Sequence, residues 1–250
     1  MSLPGYFTAT RAPRYSLVFA LPLLVLYEAL ATLLPGAAMA GVRNGADVLL
    51  KTVFVAFGGR TGLTVFGVGL LGLGAWFAWR DWRRHQGPLR SGVFAAMFVE
   101  SMVYAAVLGT VTAQLTAILL AGVPLSVPAF QGSATAGPLP LGTQLVISLG
   151  AGIYEELVFR VLLVSGLTTA AVALGARRSV AIALAIVLSA LIFSGFHYVG
   201  PLGDTFAVPS FTFRAIAGLL LSALYAARGF GIAAWTHALY DVGLSLLGRG

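Results

Sequence analysis

Apolar residues fall in long runs separated by short polar stretches. The runs Ser16–Leu34, Thr61–Trp79, Gly92–Ala121, Thr143–Ala171, Ser179–Tyr198, Phe211–Ala227 and Gly231–Leu247 are near or above the length that crosses a hydrocarbon core, about 20 residues. They predict an all-α fold, a polytopic transmembrane helix bundle of about seven spans. Residues 1–15 read as a short polar start. Pro35–Arg60 reads as a connector whose apolar part, Val48–Phe57, is too short to cross and is expected to lie as an interfacial or re-entrant helix; if it does cross, the count becomes eight. Gly122–Gly142 is a charge-free loop with four prolines, and Val199–Ser210 is a loop with Asp204 as its only charge. With no internal repeat, residues 1–250 are expected to form a single integral membrane domain.

Composition strengthens this picture. The 250 residues are 59% hydrophobic and only 9% charged, with a mean hydropathy of +0.95, whereas a soluble domain carries about 25% charged residues. Cysteine is absent, which excludes disulfides and thiolate metal sites. The net charge of +7 rests on 14 arginines and Lys51, mostly in short loops. Such charges serve as topology determinants facing cytoplasm and lipid headgroups, so the lipid bilayer is the expected partner and nucleic acid is not. With seven spans, Arg11/Arg14, Arg80–Arg90, Arg177/Arg178 and Arg228 share the cytoplasmic face, while Arg43, Lys51, Arg60 and Arg249 dissent. The first apolar run is long and lacks a small-residue cleavage site, so it is expected to be a retained span. The high alanine, glycine and arginine usage points to a bacterial, GC-rich source and hence to a cytoplasmic (inner) membrane.

Against this background, charges within spans stand out. Glu155-Glu156-Leu157-Val158-Phe159-Arg160 lies inside an apolar run, where each charge costs roughly 2.5–3.5 kcal/mol on the lenient insertion scale. Residues that costly mark a site. On an α-helix, Glu156 sits over Arg160 at i,i+4, with the acid in the favourable N-terminal position. Glu155 points about 100° away, alongside Gly152 and Phe159, and Gly152 leaves room for another helix or a substrate. The spacing predicts that Glu156 and Arg160 neutralise each other and that Glu155 is free for chemistry. Two later segments answer this one: Phe193…His197 and His237…Asp241 each place two residues one turn apart. Helices that aim His and Glu at one centre build either of two sites. In an acid/base site, Glu155 and a histidine activate water while other polar groups hold the oxyanion. In a metal site, a divalent ion such as zinc sits among Glu155, His197, His237 and Asp241 and acidifies bound water.

Together, Glu155-Glu156…Arg160, Phe193…His197 and His237…Asp241 resemble the CPBP family (CAAX protease and bacteriocin-processing, or Abi), whose eukaryotic branch is the type II CAAX prenyl endopeptidase. Its signatures are Glu-Glu-x-x-x-Arg, Phe-x-x-x-His and His-x-x-x-Asn/Asp. The resemblance covers residues 143–247; the first 140 match only as generic spans. It implies an all-helical intramembrane endopeptidase, hydrolysing a peptide bond in a membrane-associated protein, often near a terminus or a lipidated residue. By the same resemblance Glu155 activates water with His197, His237 and Asp241 stabilise the oxyanion or orient the site, and Glu156, Arg160 and Phe193 support it. Both metal-dependent and glutamate-type chemistries have been ascribed to the family. One departure stands out: Asp241 occupies a position that is asparagine in the prenyl-protease branch. A carboxylate there is a poorer oxyanion donor and a better metal ligand.

Other intramembrane proteases leave no mark. His-Glu-x-x-His and Gly-x-Ser-x-Gly are both absent, which disfavours zincin-like and rhomboid-like enzymes. Tyr240-Asp241 matches half of a presenilin-type aspartyl pair, but Gly203-Asp204 lies in a loop and lacks the full second motif. A transporter using Glu28, Glu100, Glu155, Glu156 and Arg160 as an ion path is disfavoured by the clustering of the charges and the lack of a repeat. A non-catalytic scaffold or immunity factor of the same fold is the stronger alternative. Glu28 and Glu100 are left without a role.

Overall fold

Long runs of Leu, Val, Ala and Phe uninterrupted by charge satisfy their backbone polar groups most simply as helices in an apolar medium. The computed structural model follows that rule throughout the residues it describes, which are 3–33, 44–84, 88–122, 139–199 and 203–247. These form eight helices and no strand. They are α1 (Leu3–Arg11), α2 (Pro13–Leu33), α3 (Gly45–Arg84), α4 (Ser91–Leu119), α5 (Leu141–Ala173), α6 (Arg178–Phe196), α7 (Val208–Arg228) and α8 (Phe230–Leu246). Most of the loop 122–142, the stretch 34–43 and part of the 199–210 loop lie outside the described residues.

Helix α8 is the centre of the bundle. It packs against α2, α4, α5 and α7, and Ile232, Ala233, Ala234 and Ala238 are wholly buried. Its alanines and glycines let neighbouring backbones approach closely, the usual means of helix association where lipid removes the hydrophobic drive. Gly152 of α5 illustrates this: a Cβ there would lie 2.5 Å from both the Ala234 carbonyl oxygen and the Ala238 Cβ. The small residue predicted to admit a neighbour is occupied by α8. On its other side α8 is tied to α2, where the Ser16 hydroxyl accepts the Gly231 N–H at 2.7 Å and Trp235 Nε1–H donates to the Phe19 carbonyl at 2.7 Å.

One expectation is corrected here and one is borne out. The polar start is helical, as α1. The connector's Val48–Phe57 and the run Thr61–Trp79 belong to one helical stretch, α3, interrupted at Gly59 with φ 56° and ψ −140°. Only glycine adopts that backbone readily, so the break falls where the sequence reading had divided the two. The 40 residues of α3 are therefore two helical arms that meet at this bend. Of the seven expected spans, five are found among the described residues as helices long and apolar enough to cross a membrane: α2, α4, α5, α6 and α7. Helix α8 has 17 residues.

Three of the four basic groups gather at one end of the bundle. Arg14 of α2 lies 3.6 Å from Asp81 of α3, and Arg90 donates its backbone N–H to the Tyr15 hydroxyl. Arg228, just before the turn at Gly229 (φ 85°), pairs with Glu100 of α4. Glu28, at the opposite end of α2, faces Lys51 and Tyr154.

Candidate active site

The glutamate pair lies where α5 changes its winding. From Ala151 to Glu155 and from Leu157 to Val164 the helix opens to π-type turns, and the Ser165 N–H reaches back five residues to the Arg160 carbonyl. Wider turns separate successive side chains by less than the ~100° of an α-helix. Such openings recur at functional sites. Here the consequence is direct: Glu155 and Glu156 do not serve separate faces as the α-helical spacing predicts, but both face His237 of α8.

Glu156 does pair with Arg160, at 3.1 Å between Oε1 and Nη1, and both residues are 0% exposed. The pair is not closed on itself, however. The same Oε1 lies 2.8 Å from His237 Nδ1. A carboxylate only accepts, so the hydrogen resides on Nδ1, and His237 Nε2 faces the site. Nε2 is 4.0 Å from Glu155 Oε2 and 3.5 Å from Asp241 Oδ2. Arg160 is further held beneath the Phe193 ring, 4.5 Å from its centroid. Removing one member of a buried ionic group strands the other, which makes such clusters all-or-none.

His197 arrives from α6. It sits just past the last residue of the helix, and its Nδ1 lies 2.9 Å from the Phe193 carbonyl. The carbonyl can only accept, so Nδ1 carries the hydrogen and Nε2 presents a lone pair. Its own carbonyl accepts the Asp204 N–H at 2.9 Å, which pins the following loop to the site. Phe193 stands edge-on to both imidazoles, 5.0 Å from His197 and 6.0 Å from His237. Glu155, Glu156, Arg160, Phe193, His197, His237 and Asp241, spread over 87 positions of sequence, thus form one cluster around α8.

One member has no motif. Asn44, placed by sequence in the connector, donates from Nδ2 to Glu155 Oε1 at 2.7 Å. It precedes α3, and its Oδ1 accepts the Ala46 N–H at 2.9 Å, the geometry of a helix N-cap. An Asn-Gly pair opening an apolar run was the available signal for a cap; nothing local pointed to Glu155, 111 residues away. Gly150 makes the approach feasible, since a Cβ there would lie 2.6 Å from the Asn44 Cβ. The second oxygen, Glu155 Oε2, is buried with no hydrogen-bond partner among the described residues.

Glu155, His197, His237 and Asp241 are the residues that would hold a divalent ion. Among the described residues, no group of three or more His, Asp or Glu side chains is already drawn into a metal-holding arrangement. The backbone carbonyl of Phe193 and Glu156 hold the Nδ1 hydrogens of His197 and His237, which leaves Nε2 of each ring available as a ligand. Glu28 and Glu100 lie elsewhere. A cavity of about 840 Å³ between α1 and α4, lined by Tyr6, Phe7, Val99, Glu100 and Tyr104 among others, shares no residue with the cluster.

A protein-family model described as Type II CAAX prenyl endopeptidase Rce1-like matches residues 137–243, a segment containing all three motifs. Neither the curated proteins nor the solved structures contain a match.

Proposed function

The match over residues 137–243 supports membership of the CAAX protease family, and from that premise we propose that the protein is an intramembrane endopeptidase whose chemistry is carried by Glu155 and His197. The observation that carries the reading is the state of Glu155. Its Oε1 is held by Asn44, while Oε2 is buried and uncommitted, and a buried acceptor left without a donor is costly unless a bound group completes it. A water between Glu155 Oε2 and His197 Nε2 would donate one hydrogen to each.

In the proposed reaction Glu155 takes a proton as that water attacks the scissile carbonyl carbon. The C–O bond forms, the carbonyl π pair moves onto oxygen, and the protonated Glu155 then gives its proton to the leaving amine as the C–N bond breaks. His197 orients the water and accepts its second hydrogen bond. His237, flanked by Glu155, Glu156 and Asp241, is suited to hold a proton on Nε2 and donate it toward the oxyanion. Asp241 orients that imidazole, and Glu156, Arg160 and Phe193 hold the geometry. Each of these steps is carried by side chains of the protein itself.

The substrate class proposed is a membrane-associated protein cut near a terminus or a lipidated residue, in the cytoplasmic membrane of a bacterium. Terminus-directed proteomics on cells expressing the wild type, Glu155→Ala or His197→Ala tests this. New protein termini present with the wild type and lost in both variants are expected. Identical termini in all three strains, with a wild-type phenotype that survives Glu155→Ala, would instead establish the scaffold reading.

A further inference from the structure

A general base with two equivalent oxygens is poorly directed. In this protein the equivalence is broken by a residue outside every motif, and we propose that Asn44 is the positioning residue that makes Glu155 Oε2 the reactive oxygen. This inference rests on the protease reading for its catalytic consequence, though not for its geometry.

Two bonds made by one rigid amide carry it. The Ala46 N–H can only donate, so the oxygen it meets at 2.9 Å is Oδ1 of Asn44. That fixes the orientation of the amide and leaves Nδ2 directed at Glu155 Oε1, 2.7 Å away. Asn44 is 3% exposed and Glu155 6%, so water does not compete for either bond. The first turn of α3 is in turn anchored: the Asn44 carbonyl accepts the Val48 N–H at 3.0 Å, Asp47 accepts from the Tyr27 hydroxyl at 2.7 Å, and Lys51 lies 2.6 Å from Asp47. Tyr154, the neighbour of Glu155, bonds Glu28 at 2.9 Å, and Glu28 lies 3.4 Å from the same Lys51. Helices α2, α3 and α5 are thereby locked together around the Asn44–Glu155 contact. With Oε1 tethered, the carboxylate plane is fixed, and Oε2 is held on the side of His237 Nε2.

The role separates cleanly from capping. Serine caps a helix about as well as asparagine but is too short to reach Glu155. A second device reverses the polarity of the bond: with Asn44→Asp and Glu155→Gln combined, the amide lies on α5 and the carboxylate on α3, and the cap is retained.

The full chain is purified in detergent, and cleavage of a synthetic membrane-anchored peptide spanning the junction found by terminus proteomics is followed. Asn44→Ser is expected to lower kcat at least about tenfold, since small misplacements of a reacting group carry penalties of that order, with KM within about twofold and a lowered melting temperature that still leaves the variant folded under assay conditions. In the polarity swap, Asn44→Asp alone, which sets two buried carboxylates against each other, is expected to lower the melting temperature, and adding Glu155→Gln to recover most of that loss while the double variant remains inactive. Wild-type kcat in folded Asn44→Ser overturns the proposal, as does strict additivity of the two swap substitutions in melting temperature. Should the wild type cleave nothing, the protease reading fails, and the swap alone still decides whether Asn44 positions Glu155.

Discussion

Two clusters in this bundle are built from the same parts, an arginine and glutamate within apolar helices, yet they differ in what is left over. In the cluster at Glu100 every charged atom is met. Arg228 donates from Nε and Nη2 to the two carboxylate oxygens at 2.6 and 2.8 Å, its Nη1 reaches the Phe7 carbonyl, and the Tyr6 hydroxyl donates to Oε2 at 2.7 Å. At α5 the bookkeeping does not close: Glu155 Oε2, Glu156 Oε2 and Arg160 Nε are buried without hydrogen-bond partners among the described residues. Closed groups of this kind stabilise, and open ones hold capacity for a ligand. The difference separates a structural ion pair from a candidate reaction centre even though the sequence shows a buried Glu and Arg in both.

The sharpest way to break the comparison is to neutralise one carboxylate in each cluster. Glu155→Gln is expected to reduce cleavage at least about a thousandfold, within the range for removing a general base. Glu100→Gln is expected to lower the melting temperature while leaving cleavage per folded molecule within a few-fold. Equal losses of cleavage in both would remove the distinction.

Removing the arginines asks about stability instead. Arg160→Leu strands Glu156 at full burial, a change that costs about 3–5 kcal/mol. Arg228→Leu leaves Glu100 with Tyr6 still bonded and its side chain 15% exposed, so a smaller cost of about 1–3 kcal/mol is expected. Chemical denaturation of the two variants in the same detergent gives the ranking, and a reversed order would contradict it.

A packing change gives a smaller effect. Gly152→Ala places a methyl 2.5 Å from Ala234 O and Ala238 Cβ, which must shift α8 and its His237 at a cost of about 1–3 kcal/mol. Gly166→Ala, on the same helix with nothing within 4 Å, should be near neutral or slightly stabilising. Thermal unfolding and cleavage of the two variants are compared side by side. The smallest effect is expected at Asp241, whose side chain is 28% exposed and 3.5 Å from His237 Nε2. Asp241→Asn should keep cleavage within about tenfold. A larger loss would show that the charge, and not the shape, of that residue is used.

Much of the helical layout was legible from hydropathy alone. Thr143–Ala171 was expected where Leu141–Ala173 is found, and Ser179–Tyr198 where Arg178–Phe196 is found, because the apolar runs and their polar ends are local properties. The Glu156–Arg160 pairing was legible too, since i,i+4 contacts survive the wider turns of α5. Three features were not. The geometry of the bend at Gly59 depends on a backbone angle that apolar periodicity does not encode. The convergence of Glu155 and Glu156 on His237 accompanies the opening of α5 to π-type turns, which helical spacing does not encode. Asn44 carries no mark in the connector, because the residue it touches lies 111 positions away.

By itself, then, the sequence determined that this chain is a helical membrane protein and which side chains are too costly in an apolar setting to be there without use. Those conclusions follow from transfer free energies and helical spacing, which are properties of single residues and near neighbours. The tertiary structure decided how those side chains are shared: which carboxylate is closed by arginine and histidine, which nitrogen of each imidazole faces the site, and which oxygen of Glu155 is left open. Whether a buried acceptor has a donor depends on residues up to 111 positions away, and only the packing of the helices brings them within reach.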